Sequence, residues 1–358
     1  MIACSVSFFG AWGLKSTGSK KDVQKTPLAR APVKKTVTTP KRTPRPAEIR
    51  GVHVSLGTEN TKSRFASILG MAAPASGMNA IELDIKDERG IVGYASKVTV
   101  ARRSGAAQPY YDARKDVRAA HARGLYVIGR IVVFQDDYVG KKYPDRAGRT
   151  ASGASWTTNE GHIWLNPKDR RNWDYAIALG REAAGYGFDE ILFDYVRFPS
   201  DGDVGAAIFK GPKQTHDQTI TRFLTYAVKQ LHPLGLRVSA SIFGLAATND
   251  LGIGQNPRML RNVLDDVYPM AYPALYGPQQ YGIPSPVESP HDTVAASLAD
   301  WQRKLIGGSA TITPWLQAWN YSPAQIQAQI AAARQAHAGG FLLWNAQSIY
   351  SASTLAAK

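Results

Sequence analysis

From residue 51 onward the chain alternates short, strongly apolar runs with longer stretches whose apolar residues recur at helical spacing. Eight runs read as strands: GVHVSL (51–56), NAIELDI (79–85), LYVIGRIVV (125–133), EILFDY (190–195), LRVSASIF (236–243), DDVYPMAY (265–272), ITPWLQ (312–317) and GFLLWN (340–345). Between them, helices are expected at about 61–71, 112–123, 171–186, 216–232, 256–263, 292–305 and 323–337, several opening on a Ser, Asp or Asn suited to capping. Strands alternating with helices predict a parallel sheet with crossover connections. Eight such units within residues 50–358 fit an α/β fold, a (β/α)8 TIM barrel. A doubly wound nucleotide-binding sheet would need a Gly-rich phosphate turn after its first strand, and neither G-x-G-x-x-G nor G-x-x-x-x-G-K occurs.

In such a barrel the chemistry sits at the C-terminal ends of the strands. Those ends are polar and aromatic here: Asp84, Lys86 and Asp87 after the second run, Arg130 and Asp136 at the third, and Asp194 with Arg197 at the fourth. Tyr268, Met270 and Tyr272 come from the sixth, Trp315 and Gln317 from the seventh, and Trp344 and Asn345 from the eighth. Side chains alternate faces along a strand. Ile81, Leu83 and Ile85 are therefore expected under the helices, with Glu82, Asp84 and Lys86 in the lumen. In the fourth run Ile191, Phe193 and Tyr195 form the outer set, which turns Asp194 inward.

Composition changes the picture mainly at the N-terminus. The formal charge is +15, and residues 1–50 hold eleven Lys or Arg against Asp22 and Glu48, which leaves a mildly basic folded part. That part has no basic run interleaved with stacking aromatics, so nucleic acid is not an expected partner. Residues 15–49, rich in Lys, Arg, Thr and Pro, read as a disordered linker whose charge would contact anionic envelope polymers, or as a solvated spacer. The apolar opening MIACSVSFFGAWGL (1–14) reads as the remnant of a signal sequence or as a disordered start. The first of these places the protein in the periplasm, the cell envelope or the medium. The single cysteine, Cys4, precludes an intrachain disulfide and a cysteine-built zinc site. A monomer is expected.

Two carboxyls inside a barrel mouth suit glycosidic bond cleavage, in which one acts as acid on the leaving oxygen and the other as nucleophile or base. Asp194 and Asp84 are the expected catalytic pair, with Asp136, Asp137, Glu59 and Glu288 as alternatives for the second acid. Lys86, Arg130 and Arg197 are the expected counterions. Sugar rings present apolar C–H faces to aromatic side chains. The expected substrate contacts are thus Lys86, Arg130, Arg197, Tyr272, Trp315, Gln317, Trp344 and Asn345, with Tyr276 nearby. No G-x-S-x-G elbow, H-E-x-x-H motif or His pair at i, i+4 is found, and no metal or cofactor is assigned.

The segments NAIELDIKDERGIVGYAS, YVIGRIVVFQDD, WLNPKDRRNWDYAIALGREAAGYGFDEILFDYVRFPSDG, GIGQ, DDVYPMAYPALY, TPWLQAW and FLLWNA resemble the "putative glycosyl hydrolase domain" family. The resemblance runs from Gly51 to about Tyr350 and implies a TIM barrel related to sugar-cleaving enzymes. More distantly, the chain is similar to chitinase-type and α-amylase-type barrels. Met270–Tyr272 matches the M-x-Y of the chitinase type, whereas the acid Glu expected after its fourth strand is replaced by DYVRFP. The resemblance thus carries Asp194 over and leaves its partner acid open. The expected substrate is a polysaccharide or oligosaccharide, cleaved by a glycoside hydrolase or, alternatively, held by a non-catalytic carbohydrate-binding barrel.

Overall fold

The computed structural model describes residues 43–72 and 76–355. The apolar opening and most of the basic stretch lie outside these residues. Eight strands form one closed parallel barrel: β1 (Ile49–Val54), β2 (Ala80–Lys86), β3 (Tyr126–Val132), β4 (Glu190–Asp194), β5 (Arg237–Phe243), β6 (Asp266–Met270), β7 (in two pieces, Thr311–Ile312 and Trp315–Gln317) and β8 (Gly340–Trp344). Each strand pairs with the next, and β1 closes the ring against β8. Pro314 interrupts β7 because it has no N–H to donate to the ladder.

The crossover helices are α1 (Lys62–Met71), α2 (Ala113–His121), α3 (Arg170–Tyr186), α4 (His216–Leu231), α5 (Pro257–Leu260), α6 (Pro290–Leu305) and α7 (Pro323–Gln335). Local sequence sets their ends. Asp112 and Asp169 cap α2 and α3, and capping boxes built from Thr215 with Gln218 and Ser322 with Gln325 open α4 and α7. Gly187, at φ 104°, ends α3 in a left-handed conformation that few other residues adopt. The helix expected at 256–263 is a single turn, and the loop after β3 carries a short helix, Asp137–Lys142, that periodicity did not reveal.

Alternation sorts the side chains into two cores. Val52, Val54, Ile81, Leu83, Ile85, Ile191 and Phe193 pack against the helices. Ile49, Ala80, Tyr126, Ile128, Leu192, Tyr268, Trp315 and Leu342 fill the lumen. Residues 43–48, expected as the end of the linker, lie against the barrel. Arg45 reaches Asp266 at 2.6 Å, and the Thr43 N–H donates to Asp189 at 2.8 Å. No described helix is long and apolar enough to cross a membrane.

Candidate functional site

At the C-terminal end of the barrel one guanidinium organises the lumen. Arg130, from β3, is 1% exposed, and three carboxylates surround it. Its Nη1 donates to Asp84 at 2.7 Å, its Nε to Asp194 at 2.9 Å, and its Nη2 to Glu88 at 2.5 Å. Asp84 and Asp194 bring only 4% and 7% of their side chains to the surface, whereas Glu88 stands 34% open at the rim. The Asp194 carboxylate also accepts the N–H of Tyr195 at 2.7 Å. Tyr195 itself is held at φ 47°, a left-handed conformation rare for a bulky residue and characteristic of functional turns.

A second layer lies beneath. His53 Nδ1 is 2.5 Å from Glu82, and its Nε2 faces Asp84 at 3.9 Å. Trp344 stacks on the His53 ring with centroids 3.9 Å apart, and the Arg130 guanidinium lies 4.7 Å from the Trp344 ring centre. Burial governs the protonation of these groups. It pushes Asp84 up to about 7, although Arg130 and His53 pull the other way. It raises Glu82 well above its ordinary value and takes His53 down to about 4, so the imidazole is neutral near pH 7. Burial would raise Glu88 too, but the Arg130 charge and hydrogen bond outweigh it and hold that carboxyl low.

His53, Glu82 and Asp84 bring ligand-type atoms within 4.8 Å of one another, a spacing a metal ion would tolerate. The direct His53–Glu82 hydrogen bond and the Arg130 contact on Asp84 already engage those atoms, so the donor set fits a hydrogen-bonded network better than a cation.

Several expected contacts lie elsewhere. Lys86 does not face the lumen. A register irregularity between Asp84 and Lys86 pairs Lys86 with outward-facing Ile131, and its Nζ lies 2.7 Å from Asp136 in the layer under the helices. That pairing corrects Lys86 as a substrate contact and also takes Asp136 out of the mouth, where it caps the short helix through Val139. Asp137 pairs with His162, Glu59 is buried 3% exposed in the turn after β1, and Glu288 is exposed on the approach to α6. Arg197 is not a counterion to Asp84 or Asp194 at ion-pair distance. Trp315 is 1% exposed and donates to Ser241, so it is lumen core and not a platform. Gln317 is spent on Ala274 and Trp319, and Asn345 on Ala318, Gln347 and Ile349. Tyr276 bonds Ser297 away from the rim.

Trp344 and Trp319 are half-buried and line a cleft of ≈ 660 Å³ with Tyr321 and Tyr350, a cleft that Asp84, Glu88, Arg130 and Asp194 do not themselves line. Trp319 meets Tyr272 edge-on at 5.0 Å. Sequence reasoning missed Trp319, Glu88 and the His53–Glu82 pair. The tripeptide Asp87-Glu88-Arg89 was the visible signal for Glu88.

No match was found among curated proteins. Among solved structures, a hypothetical protein from Ruminiclostridium thermocellum is 33% identical over 52% of this chain and 96% of its own, with a TM-score of 0.49. The PgaB (BpsB) glycoside hydrolase domain from Bordetella bronchiseptica aligns over 84% of this chain and 94% of its own at 14% identity and a TM-score of 0.60. The catalytic domain of β-amylase from Paenibacillus polymyxa aligns over 86% and 95% at 13% identity and a TM-score of 0.54. These last two share the barrel fold. Residues 51–350 match the family described as "Putative glycosyl hydrolase domain", and the chain belongs to that family.

Proposed function

We propose that the protein is a glycoside hydrolase acting on a polysaccharide outside the cytoplasm, with Asp194 as nucleophile or general base and Asp84 as the proton-bearing acid. The observation that carries this reading is the Arg130 cluster, in which one buried guanidinium holds three carboxylates and one of them, Asp84, is pushed to about 7. A general acid needs a carboxyl that keeps its proton near neutral pH, and burial does this for Asp84. Glu88 adds negative charge at the open side, where an oxocarbenium-like transition state would be stabilised. Trp344 and Trp319 supply the apolar faces on which sugar rings stack. The basic stretch before the barrel would hold the enzyme near anionic polymers.

Reducing-sugar release from a polysaccharide panel tests the assignment. Asp194→Asn should keep the fold and glycan binding while turnover drops on the order of 10³-fold. Full turnover in that variant would sink it. Arg130 engages both inner carboxylates, which favours a second reading, a barrel that binds glycan without cleaving it. Cleavage by the unmodified protein that Asp194→Asn abolishes excludes that reading.

A further inference from the structure

Three Lys or Arg side chains are buried among the described residues: Lys86, Arg130 and Arg197. Lys86 has Asp136 and Arg130 has its three carboxylates. Arg197 is 6% exposed, and none of the ion pairs found within 4.0 Å involves it. Its Nε is buried with no hydrogen-bond partner. Its neighbours are aromatic faces, Tyr195 at 4.3 Å, Phe243 at 4.7 Å and Trp164 at 5.5 Å from the guanidinium carbon. Burial pulls the guanidinium down and outweighs a Tyr195 hydrogen bond and the more distant charges of Asp194 and Asp201, which favour the charged form, so the group lacks a directly paired anion.

The position of this arginine gives that anion a role. Arg197 lies one ring from the proposed catalytic carboxylate, because Tyr195 stacks against it and donates its own N–H to Asp194. Phe243, which also packs against the guanidinium, lines a neighbouring cavity of ≈ 420 Å³ formed with Phe198, Pro199, Ser200 and Phe209. One guanidinium balances one negative charge, and its planar fork matches a carboxylate. A phosphate monoester would bring close to two charges to a single cation.

We propose that Arg197 is the anion receptor of this site and that the substrate carries a carboxylate, as in a hexuronic acid residue, on a sugar next to the cleaved bond. This rests on the glycosidase reading for the sugar and on Arg197 alone for the charge.

Calorimetric titration of the full-length protein, Arg197→Gln and Arg197→Lys tests it, using galacturonate, glucuronate and mannuronate oligosaccharides, their carboxyl-reduced counterparts and sulfated oligosaccharides of equal length. The basic N-terminal stretch contributes equally to all three proteins, so the differences report Arg197. At least one uronate should bind the unmodified protein about tenfold or more tightly than its reduced counterpart, and Arg197→Gln should erase that preference while leaving neutral binding unchanged. Arg197→Lys, which keeps the charge and loses the fork, should fall between. Thermal unfolding of each variant separates loss of the receptor from loss of the fold. No acid preference, a preference that survives Arg197→Gln in a folded protein, or a stronger Arg197-dependent preference for sulfate would each overturn the proposal. Asp194→Asn should bind the uronate as the unmodified protein does, so a failure of the cleavage reading registers separately.

Discussion

Replacing Arg130 with Met removes the one positive charge among Asp84, Asp194 and Glu88 and leaves the side-chain volume roughly filled. Breaking a buried ion pair by deleting one partner costs ~3–5 kcal/mol, because the remaining charge stays desolvated. Here three carboxylates lose their partner together. They can escape only by taking up protons, at a cost of ~1.4 kcal/mol for each pH unit above the carboxyl's unfolded value. The native variant then binds more protons than the unfolded chain, so its stability falls as pH rises. One additional proton corresponds to a loss of ~4 kcal/mol between about pH 5 and about pH 8. The unmodified protein has a related slope from Asp84, whose raised value of about 7 makes its contribution greatest at low pH and lost as pH climbs through about 7. The variant should be steeper, and should keep losing stability above that point. Urea unfolding followed by tryptophan fluorescence at about pH 5, 6.5 and 8 measures this. The expected destabilisation is ~1–2 kcal/mol at the acid end, growing to ~5–6 kcal/mol at the alkaline end. A deficit under ~1 kcal/mol at pH 8, or one that does not change with pH, would refute the idea that Arg130 offsets the negative charge of this cluster.

Lys86→Met should cost ~3–5 kcal/mol in the same unfolding assay by stranding Asp136, while kcat/KM of the folded fraction stays within twofold; a selective rise in KM would return Lys86 to the substrate. If Asp84 donates the proton, kcat should decline as pH rises through about 7, and Asp84→Asn should remove that limb along with most of the activity; an unchanged alkaline limb in the residual activity would assign it to another group. Gly340 sits at φ 127° where β8 meets β1, and a Cβ there would come within 1.9 Å of the Ile49 carbonyl oxygen. Gly340→Ala should therefore cost ~2–4 kcal/mol, seen as a lowered Tm, and a neutral result would mean that the barrel seam relaxes easily.

The barrel was legible because its signals are local and repeated. Every strand was found within two or three residues, since β-branched runs, caps and helical periodicity agree with one another along nearly the whole domain. The site was legible only in part. Strict alternation placed Asp84 and Asp194 correctly in the lumen, and it failed at Lys86, two residues beyond Asp84. A single irregularity in strand register inverts the parity of everything after it, and no local residue type announces one. The same slip hid Glu88, which reaches the mouth because the strand has ended its regular alternation before it. Trp315 failed for a different reason. It does face inward, as expected, but an inward tryptophan one step below the rim is filler, and depth along the barrel axis is set by shear, which sequence spacing does not encode.

Charge in the lumen does not by itself mark the functional end, because this barrel has two charged clusters. Near the N-terminal ends of the strands, Glu190 bonds Tyr126 and Ser239, Asp266 takes Arg45 and Arg237, and burial with the Asp266 charge pushes Glu190 up to about 7. By perturbed protonation alone that cluster would look as catalytic as the other. Accessibility separates them. Asp266 and Glu190 are 0% exposed, and Arg45, reaching in from the segment before β1, is bonded to Asp266, Thr313 and the Gly339 carbonyl across that end. At the opposite end, Glu88 and Trp344 remain partly open above Asp84 and Asp194, and Arg197 is buried without an anion. The chain satisfies its buried charges with its own arginines at the sealed end and leaves Arg197 without an ion pair at the other, as the proposed substrate site requires.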